Sequence, residues 1–189
     1  MKSRPILFSA PMVRALLAGT KKQTRRTFKG FTPPEDWLLD GARASTDMES
    51  TRCPFGVIGD QLWVKEALTQ SVRLLGLPRF SHADFAADGV PTLADAWPWK
   101  RSVLPGMFMP RGLSRITLEI TDVRVQRLQD ISEEDALAEG VEPATWGADA
   151  MAGLGAVLAY SKLWDDINGE GAWTKNPWVW ALSFKRVAP

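Results

Sequence analysis

One cysteine, one histidine and one tyrosine stand among 189 residues, and each scarcity removes a class of chemistry. Cys53 has no partner for an internal disulfide, so a reducing, cytoplasmic setting is the expectation. With one cysteine and one histidine, His82, a zinc site of the usual Cys/His kind cannot be assembled, and neither metal nor cofactor is expected. A Ser-His-Asp or Cys-His apparatus would have to use His82, which lies in a polar, loop-like segment and reads as solvated. Any catalysis therefore falls to carboxylates, lysine, arginine or hydroxyls. No apolar run reaches about 18 residues, so no transmembrane helix is expected. The stretch Met1–Phe8 lacks the long apolar core and small-residue cleavage site of a secretory leader. No Gly-x-Gly-x-x-Gly follows a strand, and a doubly wound nucleotide fold is not expected.

Net charge is also small, at +1, yet the positive charge is concentrated. Five of the nine residues from Lys21 to Lys29 are basic: Lys21, Lys22, Arg25, Arg26 and Lys29. A cluster on a neutral background marks a site, whereas a uniformly basic chain marks a general polyanion binder. The cluster sits between an apolar helical pattern ending at Gly19 and an alternation starting at Gln23, a junction where a scaffold can hold functional groups. Aromatic usage is skewed, with nine tryptophans against one tyrosine. Most suit core filling; one or two could offer the flat face on which a nucleobase stacks, worth about 1–3 kcal/mol.

Length predicts a single domain over residues 1–189, carrying insertions at about 29–58 and 69–112. Pro5 to Phe8 reads as a short buried strand. Ser9-Ala10-Pro11 suits a helix start, and Met12, Val13, Leu16 and Leu17 repeat on one helical face. Gln23 to Phe28 alternates, with Thr24, Arg26 and Phe28 on one face and Gln23, Arg25 and Thr27 on the other. Gln61 to Glu66 is a strand after a Gly59-Asp60 turn, and Arg115 to Leu128 is a long strand or hairpin. Ser132-Glu133-Glu134-Asp135 opens a short helix that stops at Gly140. A second helix spans about Gly153 to Ile167, and Trp178 to Val187 closes the chain as a strand. The glycine- and proline-punctuated stretches 29–58 and 69–112 read as irregular. The expected class is α+β, mostly β: a small, partly closed barrel with a few flanking short helices.

Glu139 falls in the last turn of its short helix, where a carboxylate faces the negative end of the dipole and is disfavoured by up to about 1 kcal/mol. A position that breaks a local rule is a candidate for function. Asp165 and Asp166 break the same rule, and a solvated glutamate explains the pattern equally well. Thr24 needs a neighbouring base to act as a nucleophile, and a desolvated Lys21 could supply one. A solvated basic turn followed by an ordinary strand threonine fits too, and sequence chemistry leaves both readings open.

The spaced set Gly19-x-Lys21-x-x-Thr24-x-Arg26, following an amphipathic helix, resembles the signature of the ASCH family in the PUA-like superfamily. Gly59-Asp60-x-Leu62-Trp63-Val64 resembles that family's Gly-Asp strand start, and Ser132 to Gly140 its late short helix. The likeness spans residues 4–28, 59–67 and 113–187. Arg4 to Ser9 and Asn176 to Trp180 resemble a larger subgroup from bacterial and phage genomes. The resemblance implies a pseudo-β-barrel with a nucleoside or nucleic-acid cleft, and an amidohydrolase removing the acyl group of N4-acetylcytidine or a related modified nucleoside. It implies Lys21, Thr24 and Glu139 as the catalytic residues and Arg26 as an orienting or anion-binding group. Arg25, Trp63 and Glu66 complete the candidate substrate-binding set. Lys22-Gln23 and Arg25 depart from the family pattern around the motif. The alternative is a non-catalytic module for RNA or other single-stranded nucleic acid, or a ribonuclease, with Lys22, Arg25 and Lys29 on phosphates. Expected partners are a modified nucleoside or single-stranded nucleic acid, and no membrane.

Overall fold

A phase slip in the apolar pattern shapes the longest strand. Ile116, Leu118 and Ile120 are buried, and the pattern then jumps three positions to buried Val123 and Val125. A strict two-residue period cannot make that jump without one extra residue. In the computed structural model, which describes residues 1–28, 53–73, 80–93, 96–142 and 155–187, that extra residue is Thr121. Ile120 lies opposite Phe184 and Asp122 opposite Ser183, so Thr121 is a β-bulge. The stretch 115–128 is thus one strand rather than a hairpin.

Eight strands and three α-helices are described. β1 (Ser3–Leu7), α1 (Ala10–Leu17), β2 (Gln23–Thr27) and β3 (Gln61–Lys65) come first. β4 (Leu68–Arg73), β5 (Phe80–Phe85) and β6 (Val103–Leu104) follow. β7 (Thr117–Arg127), α2 (Glu133–Ala138), α3 (Gly155–Asn168) and β8 (Trp178–Val187) complete the order. The architecture is mixed α+β and mostly sheet, as expected.

Five strands form one sheet in the order β1-β3-β7-β8-β2, with β1 parallel to β3 and the other pairings antiparallel. β1 and β2 stand at its two ends. Among the described residues these ends are joined by a side chain, the Arg26 guanidinium donating to the Leu7 carbonyl oxygen at 2.6 Å. One face of this sheet carries Ile6, Leu62, Val64, Leu118, Val123, Leu182 and Phe184, which pack in one core with Val13 and Leu16 of α1. Each fully buried leucine or valine contributes about 1.5–3 kcal/mol relative to exposure. α2 and α3 cover other ground, packing Ala136, Ala156, Tyr160 and Trp164 against Leu128, Ile131 and Val179. Ser132 caps α2 by accepting from the Asp135 N–H at 3.1 Å. The carboxylate of Glu133, the next residue, accepts from the Ala156 and Val157 N–H groups at 2.9 and 3.1 Å, satisfying orphan donors at the start of α3.

The stretch 69–112 is not the irregular insertion expected from its glycines and prolines. It contributes a three-stranded sheet, β5-β4-β6, with a core of Leu68, Phe85, Leu104 and Met109 flanked by Trp97 and Trp99. His82, expected in a loop, is on β5 opposite Ser71. β4 and β5 are short and mix polar with apolar residues, and β6 has two residues, leaving little for a period to register. Of the other expected insertion, residues 29–52 lie outside the described residues, as do Trp37 and Lys29. Residues 53–58 form a turn over buried Cys53. Among the described residues no helix is long and apolar enough to cross a membrane.

Candidate active site

Two helix ends meet over residues 20–22. α1 stops at Gly19, whose φ of 76° is open to glycine without strain. Thr20 and Lys21 then donate their backbone N–H groups to the Ala15 carbonyl, and Lys22 donates to the Ala138 carbonyl at 2.7 Å. The chain is therefore tied to the C-terminal ends of both α1 and α2, and Lys21 is aimed at Glu139, the C-cap residue of α2. Gly140 makes the approach possible. A Cβ there would lie 3.0 Å from the Cβ atoms of both Ala15 and Lys21.

Lys21 Nζ donates to Glu139 Oε2 and to the Glu139 carbonyl oxygen, both at 2.8 Å. The ammonium thus meets the carboxylate and the negative end of the α2 dipole together, which answers the unfavourable placement of Glu139 in sequence. Arg25 Nη1 donates to Glu139 Oε1 at 3.1 Å, and the Tyr160 hydroxyl approaches the same oxygen at 3.4 Å. Arg25 is shared: its Nη2 donates to Asp135 Oδ2 at 2.7 Å, and its Nη1 to Gln23 Oε1. Arg124, brought to this side by the bulge, donates to both oxygens of Asp135 at 3.1 Å. Lys21, Arg25 and Glu139 are all buried.

Burial sets the protonation preferences. Desolvation pulls the Lys21 pKa below its ordinary 10.5, against the opposing pull of Glu139. Desolvation and the Glu139 charge push Tyr160 well above 10. Asp135 is also desolvated, but its bonds to Arg124 and the Arg25 charge win and hold it below 3.8. Desolvation also lowers Arg26, which Glu139 only partly offsets.

A cavity of about 730 Å³ opens beside this network. Thr24, Arg25, Arg26, Glu139 and Tyr160 line one part of it, and Met12, Phe55, Leu163, Trp164 and Ile167 supply apolar wall. Phe28 stacks on Trp180 with ring centres 4.4 Å apart and planes 17° from parallel, and both rings line the cavity. Thr24 is buried, and among the described residues its hydroxyl makes no hydrogen bond. Lys21 stands behind Glu139 rather than in the wall.

Of the seven residues singled out in sequence, five gather here: Lys21, Thr24, Glu139, Arg25 and Arg26. Trp63 and Glu66 do not. Trp63 is half-buried on β3, with Lys65 Nζ 5.5 Å from its ring centre. Glu66 is 1% exposed, and both its oxygens accept from Arg115 at 2.9 Å, while Arg115 also binds Asp88 at 2.8 and 3.1 Å. That clip fastens the small sheet to the large one. Sequence reasoning missed Tyr160, Asp135 and Arg124 as members of the network. Tyr160 gave a signal, being the sole tyrosine and lying on the buried stripe of α3. Asp135 reads as an ordinary first-turn acid, and Arg124 reaches it only across strands. Among the described residues no group of three or more His, Cys, Asp or Glu could hold a metal ion.

No protein-family model matches this chain, and no curated protein does. Solved structures similar to it include an ASCH domain from Lactobacillus crispatus JV V101, at 12% identity over 98% of this chain and 79% of that one, with a TM-score of 0.40. Another is protein EF3133 from Enterococcus faecalis V583, described as DUF984, at 10% identity over 99% and 80%, with a TM-score of 0.43.

Proposed function

We propose that this chain is a nucleoside-recognising amidohydrolase that removes the acyl group from N4-acylated cytidine or a related modified nucleoside. One observation carries the proposal: a buried Lys21–Glu139 pair stands behind a cavity whose wall includes Thr24 and a planar aromatic stack. Thr24 Oγ1 attacks the acyl carbonyl carbon and passes its proton to Lys21 Nζ, which is freed to accept it by giving an ammonium proton to the hydrogen-bonded Glu139 carboxylate. The carbon–nitrogen bond then breaks, and the Lys21–Glu139 pair returns a proton to the leaving cytosine N4. Water hydrolyses the threonine ester, releasing the carboxylic acid and restoring the hydroxyl. The missing Thr24–Lys21 hydrogen bond is compatible with this, because such contacts tighten when substrate arrives.

The polymer-binding alternative draws less support. Arg25, expected on phosphates, is enclosed by Asp135, Glu139 and Gln23. The deciding experiment is a panel of acylated and free nucleosides incubated with the protein and followed by mass. Loss of the acyl mass from N4-acetylcytidine, reduced by about 10²–10⁴ in Lys21→Ala, is the expected result. No release from any acylated nucleoside by the unmodified protein would rule the proposal out.

A further inference from the structure

The hydrogen-bonding capacity of the cavity wall is lopsided. Its carboxylate is used up: Glu139 accepts from Lys21 and Arg25, and Tyr160 points its hydroxyl at the same group. The donors are not. The Nε–H of Arg25, the Nε–H of Arg26 and the indole N–H of Trp164 are all buried with no acceptor among the described residues. All three residues line the cavity. Buried donors without acceptors are rare because desolvation is then uncompensated, and each native instance calls for an explanation.

Charge is unbalanced in the same direction. Arg25 is neutralised by Asp135 and Glu139. Arg26 has no carboxylate within ion-pairing distance among the described residues. Among the described residues its guanidinium makes one hydrogen bond, to the Leu7 carbonyl, and its guanidinium carbon lies 5.2 Å from the Phe8 ring centre. A guanidinium has five N–H donors in a planar fork suited to two-oxygen groups. Holding Leu7 needs one of them.

We propose that the ligand of this cavity carries an oxyanion, a phosphate monoester or a carboxylate, and that the Arg26 guanidinium receives it. Applied to the amidohydrolase reading, on which it rests for the rest of the ligand, the substrate is an acylated nucleotide rather than a free nucleoside. The volume permits it, since about 300–1,000 Å³ is the range of cavities that enclose ligands of this size.

Calorimetric titration of the unmodified protein with cytidine, cytidine 5′-monophosphate, benzoate and benzamide separates the possibilities. The expected result is that an anion binds at least about tenfold tighter than its neutral counterpart, the yield of one charge-assisted hydrogen-bond pair. The nucleotide pair reports a phosphate ligand and the benzoate pair a carboxylate. Arg26→Gln should shrink the gap to about twofold or less, and Arg26→Lys should keep part of it. The comparison within the unmodified protein stands even if a variant folds poorly. Equal binding of cytidine and its monophosphate, with benzoate no tighter than benzamide, overturns the oxyanion and leaves the nucleoside reading intact. Binding of benzoate over benzamide, with neither cytidine compound bound, supports the oxyanion and removes the nucleoside. No binding by any of the four overturns both.

Discussion

Replacing Glu139 by glutamine removes one negative charge and almost no volume, and leaves Lys21 buried without its anion. The side chains of Lys21 and Glu139 are 0% and 2% exposed, so the pair belongs with buried ion pairs rather than with surface pairs. Removing one partner of such a pair destabilises by about 3–5 kcal/mol. For a chain of this size that corresponds to a fall of about 6–20 °C in Tm. Arg25 is protected, because Asp135 still holds it at 2.7 Å. The loss therefore centres on Lys21 and must depend on pH. Burial already holds its pKa below 10.5 in the folded protein, and Glu139 is the main influence raising it. Without Glu139 the folded pKa drops further. Between that lowered value and the unfolded 10.5, the unfolded chain binds more protons than the folded one, so stability rises with pH. The Glu139→Gln defect is accordingly largest at neutral and acid pH and shrinks as pH climbs towards 10.5. Urea unfolding followed by tryptophan fluorescence, at pH values from 6 to 10, measures both parts. A defect under about 1 kcal/mol at pH 7, or one that does not change with pH, would refute the reasoning. Lys21→Met combined with Glu139→Leu should recover most of the lost stability, because neither buried charge then remains.

Gly140→Ala should destabilise by more than about 1 kcal/mol, since φ is 85° and the added Cβ meets Ala15 and Lys21 at 3.0 Å; thermal melts will show it. Arg115→Ala strands the buried Glu66 carboxylate and should cost about 3–5 kcal/mol, with hydrogen exchange rising first in β4 and β5. Asp135 has a depressed pKa, so its contribution is present above 3.8 and lost as pH falls through the lower folded value. Asp135→Asn should accordingly flatten the acid limb of a stability-against-pH curve in that window. An unchanged acid limb would count against the Arg124–Asp135–Arg25 network.

The elements that read clearly in sequence are those with a strong period or a definite cap. α1, β3, β7, α2 and β8 are all of this kind, and the jump from Ile120 to Val123 even contained the bulge. The small sheet was illegible because β4 and β5 mix polar with apolar residues and β6 has two residues. At the site, Lys21, Thr24 and Arg26 were legible as a spaced motif, and Glu139 as a carboxylate at the wrong end of a dipole. What joins them is not local. Asp135 to Arg25 crosses 110 positions and Lys21 to Glu139 crosses 118, and no periodicity encodes a pairing at that distance. Glu66 looked available for substrate because sequence shows a carboxylate but not the arginine 49 positions away that occupies it.

The single extra residue at Thr121 is the one position in the longest strand whose loss would leave the register intact. Thr121 is exposed, and most replacements there should be silent. Deleting it would leave Ile120, Asp122 and Val123 in strict alternation, still opposite Phe184, Ser183 and Leu182. Val123 and Val125 would stay in the core, and Arg124 would stay on the side that meets Asp135. One missing codon at Thr121 should therefore spare the arginine network, whereas one missing codon at Arg124 would put Val125 out of phase with Val123 and remove a network member.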